Sequence, residues 1–267
     1  MKLNDFPYPK LNLPKELRDS PQNSEGEILH ALQNYINLVD KYIYTDIDLD
    51  RDQDDPLRTH AWILKVVSAN VLRSLYLRNS VVDAMNSRNS VALFLPLKAW
   101  FEVVGALAAI LDLLQKQLPP EELSEKFLPY ALGNKGKGNL RVGTVEAKSV
   151  ATMIEKADKY MKKMVAKQPQ EVKDNYSNSK YFTDFYDMAS NPSHPSFEAY
   201  ELVGGLGDDN FWRAKHPDET KQLIIDYLPA FGGLLMSPLC IQLICQEIFS
   251  IEKENFSALG ASEYFKE

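Results

Sequence analysis

Cysteine is almost missing from this 267-residue chain: there are two, Cys240 and Cys245, five residues apart in one apolar stretch. A pair so placed builds no disulfide framework and reads as two small buried hydrophobes of a reducing, cytoplasmic compartment. Glycine is scarce at 12 residues and histidine at 4. No segment alternates apolar and polar residues as a half-buried strand would, so no strand is expected. No internal repeat is visible either. A surplus of positive charge is also missing, with 30 Lys plus Arg against 37 Asp plus Glu and a formal net charge of -7. That excludes grip on nucleic acid by the chain's overall charge, because such binding depends on phosphate neutralisation; a local basic patch survives the argument. The opening MKLNDFPYPK lacks the apolar core of a secretory signal. Tyr227 to Gln246 is uncharged over twenty residues, but Pro229, Gly232, Gly233, Pro238 and two glutamines interrupt it. A buried core helix is expected there, and no membrane span.

What the chain does have is apolar residues at spacings of three and four over long stretches, the signature of amphipathic helices. The reading is all-α: a single-domain bundle of seven or eight helices over 24–255, preceded by an extended N-terminal arm, 1–23, and followed by a tail, 256–267. Pro7, Pro9, Pro14 and Pro21 keep the arm from being helical. Ser24 with Glu27 forms a capping-box start. Helices are predicted at about 56–86, 91–114, 121–132, 144–165, 168–189 and 218–254, the last bent near Gly232 and Pro238. The 91–114 stretch is apolar nearly all round, as a central helix is.

Four places could carry chemistry. The acidic run Asp46, Asp48, Asp50, Asp52, Asp54, Asp55 invites a calcium reading, but an EF-hand starting at Asp46 would put Arg51 at its glycine and Leu57 at its glutamate. A solvated loop whose last aspartates favour the next helix N-terminus fits better. The segment from Gly133 to Arg141 is glycine-rich and basic, so Lys135, Lys137 and Arg141 could bind an anion, though the Walker pattern is absent. Lys98 and Glu102 lie one turn apart inside the most apolar helix and share a face. Charges there are paired or functional, because burial of a lone charge is costly. They form either a structural ion pair, extended by Arg73 or Arg78, or a polar patch at a pocket mouth. His194 follows Asn191 and Ser193 just past a helix bearing Tyr186, which suits either acid–base work or a helix cap. His30, His60 and His216 have no partners at zinc spacing, so neither metal nor cofactor is expected.

Two of these segments together resemble a group of uncharacterised all-helical domains found mostly in prokaryotes. One is Leu95 to Glu102, with Lys98 and Glu102 in a basic-x-x-x-Glu helix. The other is Tyr186 to Ser190 followed by His194-Pro195-Ser196. The likeness spans roughly Arg58 to Ser196. Such domains are distantly related to the HEPN superfamily, whose active members are helical ribonucleases or nucleotide-binding proteins, often in defence systems. The resemblance implies a helical fold and a pocket in which Lys98, Glu102 and His194 converge. It does not imply nuclease activity, since the family's Arg, four to six residues, His pattern is absent: Arg58 is two before His60 and Arg213 three before His216.

The expected function is therefore that of a helical domain, a homodimer in its simplest form, that binds a small ligand or protein partner in a defence or stress setting. Its ligand-binding set is Lys98, Glu102, His194 and Tyr186. The alternative is a metal-independent ribonuclease using His194 with Asn191 and Arg73 or Arg78; RNA is a partner only in that case.

Overall fold

The computed structural model describes residues 9–10, 24–44, 47, 49, 52, 55–87, 89–131, 141–142, 145–146, 148–170, 173, 180–193, 202, 204–206, 211–214 and 232–265. Among them the apolar stripes become seven α-helices, and the fold is all-α. These are α1 (Ser24–Val39), α2 (Leu57–Asn86), α3 (Ser90–Leu114), α4 (Pro120–Ala131), α5 (Val150–Val165), α6 (Tyr181–Ser190) and α7 (Gly232–Ala258). The chain divides into two compact units, each assembled from three separate stretches. The first holds Met1–Leu38, Ser74–Phe101 and Tyr181–Leu239; the second holds Val39–Arg73, Glu102–Lys180 and Cys240–Glu267.

In the first unit, Trp100 is fully buried and its ring lies 5.4 Å from that of Tyr35. The Tyr35 hydroxyl meets Ser74 Oγ at 2.6 Å. Arg78 is also fully buried. It donates from Nε to the Leu32 carbonyl (2.9 Å) and from Nη1 to the Pro9 carbonyl (2.7 Å), while Asn86 Nδ2 donates to the Lys10 carbonyl (2.9 Å). Two successive carbonyls of the predicted arm are thus held by α2, 69 and 76 residues further along.

The second unit is built around Val103, Val104 and Leu107 of α3, Ile154 and Ala157 of α5, and Ile241, Ile244 and Ile248 of α7, all nearly or fully buried. Ser149 opens α5 by accepting a hydrogen bond from the Thr152 amide at 3.2 Å, the usual means of satisfying an orphan donor at a helix start. Asp55 does the same near the start of α2, its Oδ1 accepting from the Leu57 amide at 2.8 Å, as the acidic run suggested. Among the described residues α3 is the helix long and apolar enough to cross a membrane, and 67% of its most apolar window is buried within the protein.

Several boundaries differ from expectation. Among the described residues there are four strands: β1 (Arg141–Val142) pairs antiparallel with β2 (Val145–Glu146), and β3 (Gly204–Leu206) with β4 (Trp212–Ala214). Two or three residues are too few for alternation to register, which needs four or more. The pairing of Val145 and Glu146 delays the helix expected from Thr144 to Val150. Lys180 is non-helical, so the helix expected over 168–189 is interrupted before α6. In α7 the helix runs through Pro238 from Gly232; residues 218–231 lie outside the described ones.

Cys240 and Cys245 are both free and buried, with Cys240 Sγ 3.3 Å from Met161 Sδ. Burial pushes the Cys240 thiol up to about 12 and raises that of Cys245 as well. Since the thiolate is the reacting species, native protein at pH 8 should leave a disulfide reagent such as Ellman's unconsumed. Both thiols should titrate within minutes in guanidinium. Rapid reaction of either in the native state would contradict their burial.

Candidate functional site

Two of the four residues expected to bind a ligand meet in the first unit. Lys98, on α3, places its ammonium 5.6 Å from the ring centre of Tyr186, on α6. The geometry is that of a cation–π contact, worth about 0.5–1 kcal/mol where water is near. Below it Phe101, one turn beyond Lys98, stacks on Phe185 (6.0 Å, 21°) and meets Phe182 edge-on (6.4 Å). The spacing of Phe182, Phe185 and Tyr186 lays three rings along one side of α6. Lys98 therefore lies at the margin of an aromatic cluster.

Glu102 is engaged in the second unit, its Oε2 3.6 Å from Arg73 Nη2, with the glutamate side chain 22% exposed. Arg73 is one of the two arginines expected to extend a Lys98–Glu102 ion pair, and it is the one that Glu102 meets. Arg78 is instead committed to backbone carbonyls. Asn191 opens the 3-10 turn Asn191–Ser193, and Ser193 Oγ donates to the Ala189 carbonyl at 2.7 Å, capping α6. His194, Lys135 and Lys137 lie outside the described residues, and so does the Arg141 side chain, whose backbone starts β1.

Near Lys98 the antiparallel α2 and α3 leave an open groove of about 700 Å³ in the first unit. Local sequence makes it. Ser87 Oγ donates to the Asp83 carbonyl as α2 ends, and Asn89 Oδ1 accepts from the Ala92 amide as α3 begins, so the chain reverses within three residues. Ala84, Ala92 and Ala99 are too small to fill the space between the helices, and Leu77, Leu95 and Pro96 make the rest of the apolar lining. Pro96 has no amide hydrogen, so the Ala92 carbonyl loses its helical donor at the groove wall. Among the described residues Asp83 supplies the groove's one carboxylate. Leu95 is 64% exposed, and Val91 and Tyr76 elsewhere on α3 and α2 are each about half exposed.

A further pair was not foreseen. In the second unit His60 Nδ1 lies 2.8 Å from Glu252 Oε2, with the glutamate fully buried. Burial raises the Glu252 carboxyl, against the opposing hydrogen bond and charge of His60. Glu252 Oε1 has no hydrogen-bond partner among the described residues. The signal was present in the sequence: Glu252 occupies the stripe Ile248, Glu252, Phe256, where an apolar residue is due. Nothing in the sequence names a partner 192 residues away.

Asp112 of α3 is met by three ammonium groups: Lys159 and Lys156 of α5 at 2.8 and 2.9 Å, and Lys116, just past the end of α3, at 3.5 Å. Burial alone would raise its carboxyl, but hydrogen bonds from Lys159 and Lys156 outweigh that and hold it well below the carboxylate range. Among the described residues no group of three His, Cys, Asp or Glu side chains gathers to hold a metal. Comparison with protein-family models, with curated proteins and with solved structures finds no significant match to this chain.

Proposed function

We propose that this protein is a partner-binding helical module, and that the groove between α2 and α3 takes an amphipathic helix of a second protein. The groove itself carries the reading. It is lined by leucine, alanine and proline, edged by Asp83, and open along its length. A small molecule would be covered on one side only, whereas ligand sites usually enclose most of their ligand. A helix laid into the groove would bury Leu77 and Leu95 with its own apolar stripe. Asp83 favours a lysine or arginine on that helix, and the Ala92 carbonyl accepts a donor from it.

The likeness of Leu95–Glu102 and Tyr186–Ser190 to HEPN-related domains supports a place among them as non-catalytic members. The ribonuclease alternative is the weaker proposal. Its arginines are already engaged, Arg78 with two carbonyls and Arg73 with Glu102. A cytoplasmic setting accords with two reduced, buried cysteines. Self-association through the groove, giving the homodimer, is the competing occupancy.

Selection from a displayed library of helical peptides against the purified chain tests this. Recovered peptides should share apolar residues at i, i+3, i+4 and i+7 with a basic residue on the flank. Leu95→Asp and Ala92→Arg, both at exposed positions, should weaken them at least tenfold. Peptides that bind wild type and both variants alike would refute the groove.

A further inference from the structure

The outward side of α5 is a lysine face. Met153, Ile154, Ala157, Tyr160, Met161 and Val165 are buried on its inner side. The residues left outside include Lys156, Lys159, Lys162 and Lys163, which fall within about a third of a turn of the helical wheel. Lys116, at the end of α3, extends them. Against these five lysines stand three carboxylates, besides Asp158, which is buried on α5 itself. Asp112 takes Lys116, Lys156 and Lys159; Glu247 is turned to Tyr160 Oη (3.1 Å) and Gln115 Nε2 (3.1 Å); Glu155 is exposed on α5. Lys163 is held by the Gln115 amide oxygen at 3.0 Å, a neutral group. One carboxylate serving three ammoniums is the mark of a local positive field in a chain whose net charge is -7.

We infer that this face docks the phosphodiester backbone of a nucleic acid strand. The choice among anionic partners follows from what surrounds the lysines. Among the described residues of α5 no large apolar side chain is exposed. Tight protein interfaces are anchored by buried aromatic or aliphatic side chains, and membrane-surface helices insert Trp, Phe or Leu; neither device is present. Lysine point charges without an anchor suit a partner whose binding comes from phosphate neutralisation alone. Such contact is blind to base sequence. The overall acidity keeps it confined to this face.

Fluorescence anisotropy with labelled twenty-residue oligouridylate, repeated with oligothymidylate, tests the inference in the full chain. Both strands should bind with a dissociation constant of roughly 1–100 µM at physiological salt, within a few-fold of each other. The logarithm of affinity should fall against the logarithm of salt with a slope of about -2 to -3, as three or four single-strand phosphate contacts require. Replacing Lys159, Lys162 and Lys163 together by glutamine should weaken binding at least tenfold and remove about two units of that slope. Lys65→Gln with Lys253→Gln, exposed lysines elsewhere in the unit, should change it less than twofold. Circular dichroism and the melting temperature show that each variant is folded. The inference is overturned by absent binding at 50 mM salt, by equal loss in both variants, or by adsorption to phosphatidylserine vesicles without binding to either strand.

Discussion

His60→Ala should lower the unfolding free energy by about 1–3 kcal/mol, the usual cost of leaving a buried polar group without its hydrogen-bond partner. The loss comes from the partner left behind. Glu252 is fully buried and its Oε2 is the atom that meets His60, so removing the histidine strands that oxygen. Replacing both residues together, His60→Leu with Glu252→Met, should recover most of the loss, because apolar side chains need no partner. Urea unfolding of the single and double variants at pH 7 decides this. A double variant no more stable than His60→Ala would show that the pair contributes through its shape. The pH dependence has a definite sign. Because burial raises the Glu252 carboxyl above its ordinary 4.5, the folded chain holds that proton more tightly than the unfolded chain. Its stabilising contribution is complete below 4.5 and is lost as pH rises through the raised value. Glu252→Gln has no proton to lose there. The stability of wild type relative to that variant should therefore fall across that window, and a rising difference would reverse the assignment.

The second large effect is expected at Gly105. Alanine in place of glycine inside a helix ordinarily stabilises by about 0.5–1 kcal/mol. Here a methyl group would stand 2.9 Å from the Met153 carbonyl carbon and 3.0 Å from the Ile154 amide nitrogen. Both are backbone atoms of α5, which cannot rotate aside as a side chain can. Gly105→Ala should thus destabilise by about 1–3 kcal/mol, as overpacking of a filled core does. A melting temperature at or above that of wild type would mean that α3 and α5 separate at no cost. Of the two contributions the steric one wins, and the sign of the change tests that balance directly.

The helices were legible because their signal is repeated: α2 and α3 each offer six or more turns of apolar spacing, and their ends fall within a residue or two of expectation. The strands were not, since Val142 with Val145 and Gly205 with Arg213 form ladders too short to leave a pattern. At the candidate site, sequence reasoning singled out the charges and left more than one partner open for each. Lys98 meets Tyr186 and Glu102 meets Arg73, because neighbouring helices decide which of two adjacent turns each partner reaches. The groove depends on three alanines and a proline, residues that pass in sequence for ordinary helix filling; only the facing helix makes them a vacancy. His60 and Glu252 were each visible as an oddity on an apolar stripe, but pairing across 192 residues is a property of the tertiary fold.

The order of the chain through the two units has a consequence for synthesis on the ribosome. The first unit is closed by residues up to Leu239 and the second by residues from Cys240 onward. A nascent chain that has reached α6 therefore owns most of both cores and can complete neither. At about 5–20 residues per second, the 68 residues from Ser190 to Ala258 at the end of α7 take roughly 3–14 seconds. Throughout that time α3, the most apolar helix among the described residues, waits for part of its cover. α7 contributes to both units, so its synthesis is what lets either core be finished.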